Sequence, residues 1–200
     1  MMKKIGVTGT IASGKTTVSI LLRRMGYRVF DCDGYSRMVY RKNDPCFEQI
    51  VNAFGTDILD EFGEIDRKKL AAVIFNDEEK RQKLNDITHP AIVAGMERFF
   101  ENHTDEPLVF AEVPLLFEAH LESHFDAILV VACDREKAVA RMMEDRDYTR
   151  EEAEARYESQ MHPDRQIEQA TIVIMNDGTI QDLYERVVEV VTALEEQYAS

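Results

Sequence analysis

From residue 9 to residue 16 the chain reads Gly9-Thr10-Ile11-Ala12-Ser13-Gly14-Lys15-Thr16, a pair of glycines bracketing four residues and followed at once by a lysine and a hydroxyl. Glycine accepts backbone torsions closed to other residues and leaves room where a Cβ would stand, so successive amide N–H groups can turn inward onto an anion. A helix beginning near Lys15 would add the positive end of its dipole. This is the G-x-x-x-x-G-K-[ST] pattern of a loop that cradles nucleoside triphosphate. Lys15 would bridge the β- and γ-phosphates and Thr16 would place its hydroxyl on magnesium. The backbone of Gly9, Ile11, Ala12, Ser13 and Gly14 would wrap the phosphates, with Thr17 reaching the α-phosphate.

Other side chains could act on what that loop holds. Asp31-Cys32-Asp33 sets two carboxylates at the end of an apolar run. One could take the proton of an acceptor hydroxyl while the other binds magnesium or fixes its neighbour; the alternative for either is a helix cap. Leu108-Val109-Phe110-Ala111-Glu112 ends four apolar residues in a carboxylate, which serves either the magnesium shell or a strand end that meets solvent. His89 suits an acceptor pocket or a helix entrance, with Pro90 in the first turn. His120 and His124 lack the H-E-x-x-H order of a zinc site and read as structural. Asp60-Glu61-Phe62-Gly63 has the D-x-x-G form of nucleotide switches, but it lies in a helical stretch and reads as a turn. With no N-K-x-D sequence to recognise guanine, a GTPase is disfavoured.

These groups need a scaffold. Ile5 to Thr8, Arg28 to Asp31, Leu108 to Glu112, Ala127 to Val131 and Thr171 to Met175 are short runs rich in β-branched residues, several apolar on both faces, as in a parallel sheet covered by helices. The sequence between the second and third runs has apolar residues at helical spacing, with Asp66 as a cap, and reads as a helical insertion. Residues 135–165 are charged and helical, with a fresh helix start around Asp147 to Glu152, and suit a lid. After the turn Asn176-Asp177-Gly178, Leu183, Val187, Val190, Val191, Leu194 and Tyr198 share one helical face.

The chain of 200 residues is 44% hydrophobic and 31% charged, an ordinary globular balance. With 24 basic against 38 acidic residues, its net charge of -14 disfavours nucleic acid or an anionic membrane as partner. Nothing in the sequence calls for an obligatory protein partner. Cys32, Cys46 and Cys133 form no C-x-x-C pair and read as core thiols of a reducing compartment. With no signal-peptide core and no span of membrane length, a cytoplasmic location is expected.

Taken in order, these motifs resemble the dephospho-coenzyme A kinase family. They are the phosphate loop, Asp31-Cys32-Asp33 with Arg37, His89-Pro90-Ala91-Ile92, Val113-Pro114-Leu115-Leu116-Phe117-Glu118, Arg141 and Arg146 with a trailing Gln160, and Asn176. The resemblance implies an α/β fold of the P-loop nucleoside-monophosphate-kinase kind, a parallel five-stranded sheet flanked by helices. One kinase domain would comprise a nucleotide-binding core (1–33 and 105–200), a helical acceptor-binding subdomain (34–104) and a lid (135–165). It implies ATP and magnesium as cofactors and dephospho-coenzyme A as acceptor, phosphorylated at its ribose 3′-hydroxyl. Asp33 would contact the ribose and act as base, with Asp31 as its alternate. Arg141 would lie over the transferring phosphate, aided by Arg146, and Asn176 would sit near adenine. Arg37, His89, Pro90, Leu115 and Gln160 would line the acceptor side, while Thr16, Asp31 and Glu112 would serve the metal. The family's loop usually has glycine where this chain has Thr10 and Ala12, and Ala-Asp where it has Ala170-Thr171. The competing readings are another small-molecule or nucleoside monophosphate kinase, and a nucleotide-sensing module without transfer.

Overall fold

The computed structural model describes residues 1–75 and 77–198, apart from the side chain of Arg146. Five strands, β1 (Lys3–Gly9), β2 (Arg28–Asp31), β3 (Leu108–Glu112), β4 (Ala127–Ala132) and β5 (Ile172–Met175), form one parallel sheet in the order β2-β3-β1-β4-β5. Each strand coincides with one of the β-branched runs, and the central strand β1 pairs in parallel with both β3 and β4. Every residue of β3 and β4 is buried, which follows from helices lying on both faces of the sheet.

The chain divides into two compact units, Met1–Phe30 with Asn102–Ser200, and Asp31–Glu101. In the first, helix α1 (Lys15–Arg24) follows β1 directly. Its Val18 and Leu22 join Ile5, Val7, Leu129 and Val131 of the sheet in one apolar cluster.

The second unit holds α2 (Cys32–Ser36), α3 (Pro45–Phe54), α4 (Arg67–Ile74) and α5 (Glu78–Glu101). Asp44 and Asp66 cap α3 and α4, accepting from the Cys46 amide and from the Lys68 and Lys69 amides. Asp60 closes the D-x-x-G turn by accepting from the Phe62 and Glu64 amides, both at 2.9 Å. Phe47, Ile50, Ile58, Leu70 and Leu84 form the core of this unit.

One expectation is corrected here: Pro90 does not open a helix, nor does His89 stand at an entrance, because α5 runs through both. An interior proline removes one backbone hydrogen bond and costs about 3 kcal/mol. Leu84 and Ile87 before it and Ala91 and Ile92 after it belong to the same cluster, so ending the helix at Pro90 would strip one half of α5 from its core. Nearby, the Tyr35 hydroxyl accepts from Arg98 Nη2 at 3.0 Å, and the Tyr35 ring fills the place that a side chain at Gly95 would need.

Returning to the first unit, α6 (Arg135–Arg146) is capped by Asp134 and ends at Asp147 in a left-handed conformation. The fresh helix start falls at Thr149, which caps α7 (Arg150–Glu158) through a reciprocal box with Glu152. Helix α8 (Pro163–Gln169) leads to β5, and α9 (Ile180–Tyr198) closes the core with Leu183, Val187, Val191 and Leu194 on its buried face. Thr179 and Asp182 exchange hydrogen bonds at its start, at 2.7 and 3.2 Å. All three cysteines are buried, and none of them forms a disulfide. Burial pushes the Cys46 thiol up to about 11 and raises that of Cys133, so both stay protonated and inert at neutral pH. No helix among the described residues is long and apolar enough to cross a membrane.

Leu129 lies in β4 at 1% exposure, between β1 and β5. Leu129→Ala should destabilise the chain by about 2–5 kcal/mol through lost burial and the cavity left behind. Urea denaturation should show this as a lower midpoint with an unchanged slope.

Candidate active site

The phosphate loop begins where β1 ends. Gly9 stands opposite Val131 in the β1–β4 register with φ 147°, and any Cβ there would collide with the Val131 carbonyl. Gly14, with φ 103°, is the N-cap of α1, and a Cβ on it would collide with the amide nitrogen of Asn176. Both glycines of the motif are therefore demanded by torsion and by space. Lys15 opens α1 and folds its ammonium back over the loop, donating to the carbonyls of Gly9 at 2.9 Å and Thr10 at 2.7 Å. Placed there, its positive charge lies against the first two carbonyls of the loop.

Thr16 and Glu112 come together through strand register. Pairing of β1 with β3 sets Val7 opposite Glu112, and Thr16 donates its hydroxyl to Glu112 Oε1 at 2.9 Å. Glu112 is buried at 7% exposure. A hydroxyl beside a buried carboxylate is a set of hard oxygen donors suited to a small divalent cation.

The middle of the loop is held by residues of α6, of the turn after α7 and of the turn after β5. Ala12 has φ 57°, the left-handed region, which costs a non-glycine residue about 1 kcal/mol. Its carbonyl accepts from Arg141 Nη1 at 3.2 Å, and Arg141 Nη2 donates to the Asn176 carbonyl at 2.9 Å. Asn176 in turn donates its side-chain amide to the Ser13 carbonyl at 2.8 Å. One residue earlier, the Ile11 N–H donates to Gln160 Oε1 at 2.8 Å. Ile11 and Ala12 also pack against a cluster containing Val139, Met142, Ala153 and Tyr157 of α6 and α7.

Of the residues singled out in the sequence, the first unit thus gathers Gly9 to Thr16 with Glu112, Arg141, Gln160 and Asn176. Arg141, expected over the transferring phosphate, bonds here to two backbone carbonyls, and Gln160, expected on the acceptor side, bonds to the loop. Leu115, just past β3, is 48% exposed. The Arg146 side chain lies outside the described residues. In the second unit, Asp31 caps α2, its Oδ1 accepting from the Gly34 amide at 2.8 Å. Asp33 and Arg37, on and just after α2, are exposed. His89 and Pro90 lie within α5.

Two contributors escaped the sequence reading. Glu118 accepts from the Met161 amide at 3.3 Å and so ties the turn after α7 to the loop after β3. Its place at the end of Val113-Pro114-Leu115-Leu116-Phe117-Glu118 was the available signal. Tyr157 backs the phosphate loop from α7, and only its apolar spacing with Ala153 could have suggested it.

The family model of dephospho-CoA kinase matches residues 3–182. The dephospho-CoA kinase of Bacillus cereus is 44% identical over 180 residues, covering 89% of this chain and 90% of its own. Among solved structures, a protein from Thermus thermophilus has a TM-score of 0.82 at 36% identity and 96% coverage of each chain. Dephospho-CoA kinase from Campylobacter jejuni has a TM-score of 0.76 at 26% identity, over 98% of this chain and 99% of that one. With the family's model spanning most of its length and a phosphate loop whose glycines, lysine and hydroxyl are set by the strands around them, the chain belongs to the dephospho-CoA kinase family.

Proposed function

We propose that this chain transfers the γ-phosphoryl group of ATP to the ribose 3′-hydroxyl of dephospho-coenzyme A, giving ADP and coenzyme A. The observation that carries this reading is the conjunction of the Lys15 ammonium against the phosphate loop with the Thr16–Glu112 pair beside it, in a chain of this family.

In this mechanism the loop amides and Lys15 bind the β- and γ-phosphates, and Lys15 leaves the carbonyls of Gly9 and Thr10 for the stronger, oppositely charged partner. Little covalent chemistry is asked of the protein, so the rate arises from positioning and from charge stabilisation of the phosphoryl oxygens. Arg141 adds to that stabilisation: its guanidinium has five N–H donors, and bonds to two carbonyls leave others for the nucleotide. Asp33 receives the acceptor hydroxyl proton, with Asp31 as its alternate, and Arg37, His89, Pro90 and Leu115 serve acceptor binding. Asn176 serves the adenine side, and Arg146 assists Arg141.

The donors present fit magnesium. No group of three or more His, Cys, Asp or Glu suited to a metal occurs among the described residues, so a cation here would take few protein ligands, as magnesium does when phosphates and water complete its shell. Thr16 and Glu112 would hold it, with Asp31 as a further ligand, and its chemistry would be to neutralise charge on the β- and γ-phosphates.

The 135–165 segment acts as a lid whose closure excludes water that would otherwise hydrolyse ATP. A cytoplasmic setting is supported by three buried cysteines of which none forms a disulfide.

A coupled ADP-release assay with ATP and magnesium tests this reading, comparing dephospho-coenzyme A with adenosine, nucleoside monophosphates, shikimate, gluconate and no acceptor. Release with dephospho-coenzyme A alone, with coenzyme A identified by mass, is the expected result; release only with another acceptor overturns it. Lys15→Ala should lower turnover by at least about 10²-fold, the scale for losing one preorganised charge. Near-normal turnover in the folded variant would remove Lys15 from the mechanism. Asp33→Asn should retain ATP affinity while losing transfer, and collapse of ATP affinity would instead assign Asp33 to the metal.

A further inference from the structure

The phosphate loop contains a local conflict. Ala12 carries a Cβ in left-handed torsion space, within a turn that the Ser13 N–H closes onto the Thr10 carbonyl at 3.3 Å. Further support arrives from far along the chain: Arg141 on the Ala12 carbonyl, and Gln160 on the amide of the residue before. Gln160 fixes the Thr10–Ile11 peptide group at the start of the turn that contains Ala12, and Arg141 fixes the Ala12–Ser13 peptide group at its end. Gln160 is itself closely fixed. It follows the end of α7, and the next amide, that of Met161, is bonded to Glu118. A carboxamide oxygen suits this task because it accepts from an N–H without adding a negative charge beside a loop built for phosphate.

We propose that Gln160 is a positioning residue for ATP: through its hydrogen bond to Ile11 N–H it holds Ala12 in the left-handed conformation that shapes the phosphate loop. The proposal rests on the reading of this site as an ATP site and deepens it, moving Gln160 from the acceptor side to the nucleotide side. It also makes loop order depend on the lid segment, because Gln160 and Arg141 both belong to it. When that segment shifts, the loop loses both of these distant hydrogen bonds.

A double-mutant cycle tests this. Gln160→Met keeps the length of the side chain and removes the acceptor oxygen. Ala12→Gly removes the Cβ, so the same torsion no longer needs an external hold. Calorimetric titration with magnesium–ATP should show Gln160→Met weakening binding by about tenfold, the scale of one lost, partly buried hydrogen bond plus disorder in the loop. In the Ala12→Gly background the same change should weaken binding by at most about threefold, the difference being the coupling between the two positions. Steady-state rates should show the KM for ATP raised and that for dephospho-coenzyme A unchanged. Should Gln160→Met not fold by circular dichroism, Gln160→Ala replaces it in the cycle.

An ATP loss under about threefold in the wild-type background overturns the proposal, as does an equal loss in both backgrounds. A raised dephospho-coenzyme A KM with unchanged ATP affinity returns Gln160 to the acceptor. ATP binding is measured without acceptor, so failure of wild type to phosphorylate dephospho-coenzyme A would refute the proposed reaction and leave this cycle readable.

Discussion

The hydrogen-bonded register of β1 is the constraint from which the site follows. On one side it sets Gly9 against Val131, whose carbonyl occupies the space a side chain would take, so the chain must leave the strand as glycine. On the other it sets Val7 against Glu112, which delivers a buried carboxylate to the hydroxyl of Thr16. A slip of β1 by one residue would break both relations and would also turn Ile5 and Val7 out of the core they share with α1 and α9. Nucleotide recognition in this chain is thus a property of strand pairing before it is a property of the loop.

The loop itself is a cooperative structure assembled from distant parts. Its first glycine is dictated by β4, its last by Asn176 at the end of β5, and its middle by Arg141 from α6 and Gln160 from the turn after α7. Each contact alone is modest, on the order of 1 kcal/mol as a net hydrogen bond. Together they surround a segment only a few residues long, which leaves it few alternative shapes. This economy suits a reaction in which the protein's task is to hold charges in place.

How much of this could be read from the sequence depends on range. The phosphate loop was legible because glycine, lysine and threonine act through local torsion and through the helix that follows immediately. The strands were legible because a fully buried parallel strand must be apolar at successive positions, as β3 and β4 are. The apolar face of α9 was legible for the same kind of reason. Pro90 misled because a strong local preference was outweighed by the apolar residues on both of its flanks, whose packing no local pattern reports. Asp31 was ambiguous because capping and catalysis call for the same side chain at the same place. The partners of Ala12 and Ile11 were illegible in principle: their contacts span 129 and 149 residues of chain, and no periodicity encodes such a pairing.

The Tyr35 ring resting on Gly95 carries a consequence for how such a sequence can drift. A methyl group at residue 95 would need the space that the aromatic ring already fills, and a smaller residue at 35 would leave that space empty and the Arg98 guanidinium without its phenol. Neither position can be exchanged alone without loss, whereas a paired exchange of bulk between them preserves the fit. Because Tyr35 lies two residues beyond Asp33 on α2, evolutionary or engineered change around that carboxylate has to proceed through compensated steps, and the two positions should be varied as one unit in any library built on this chain.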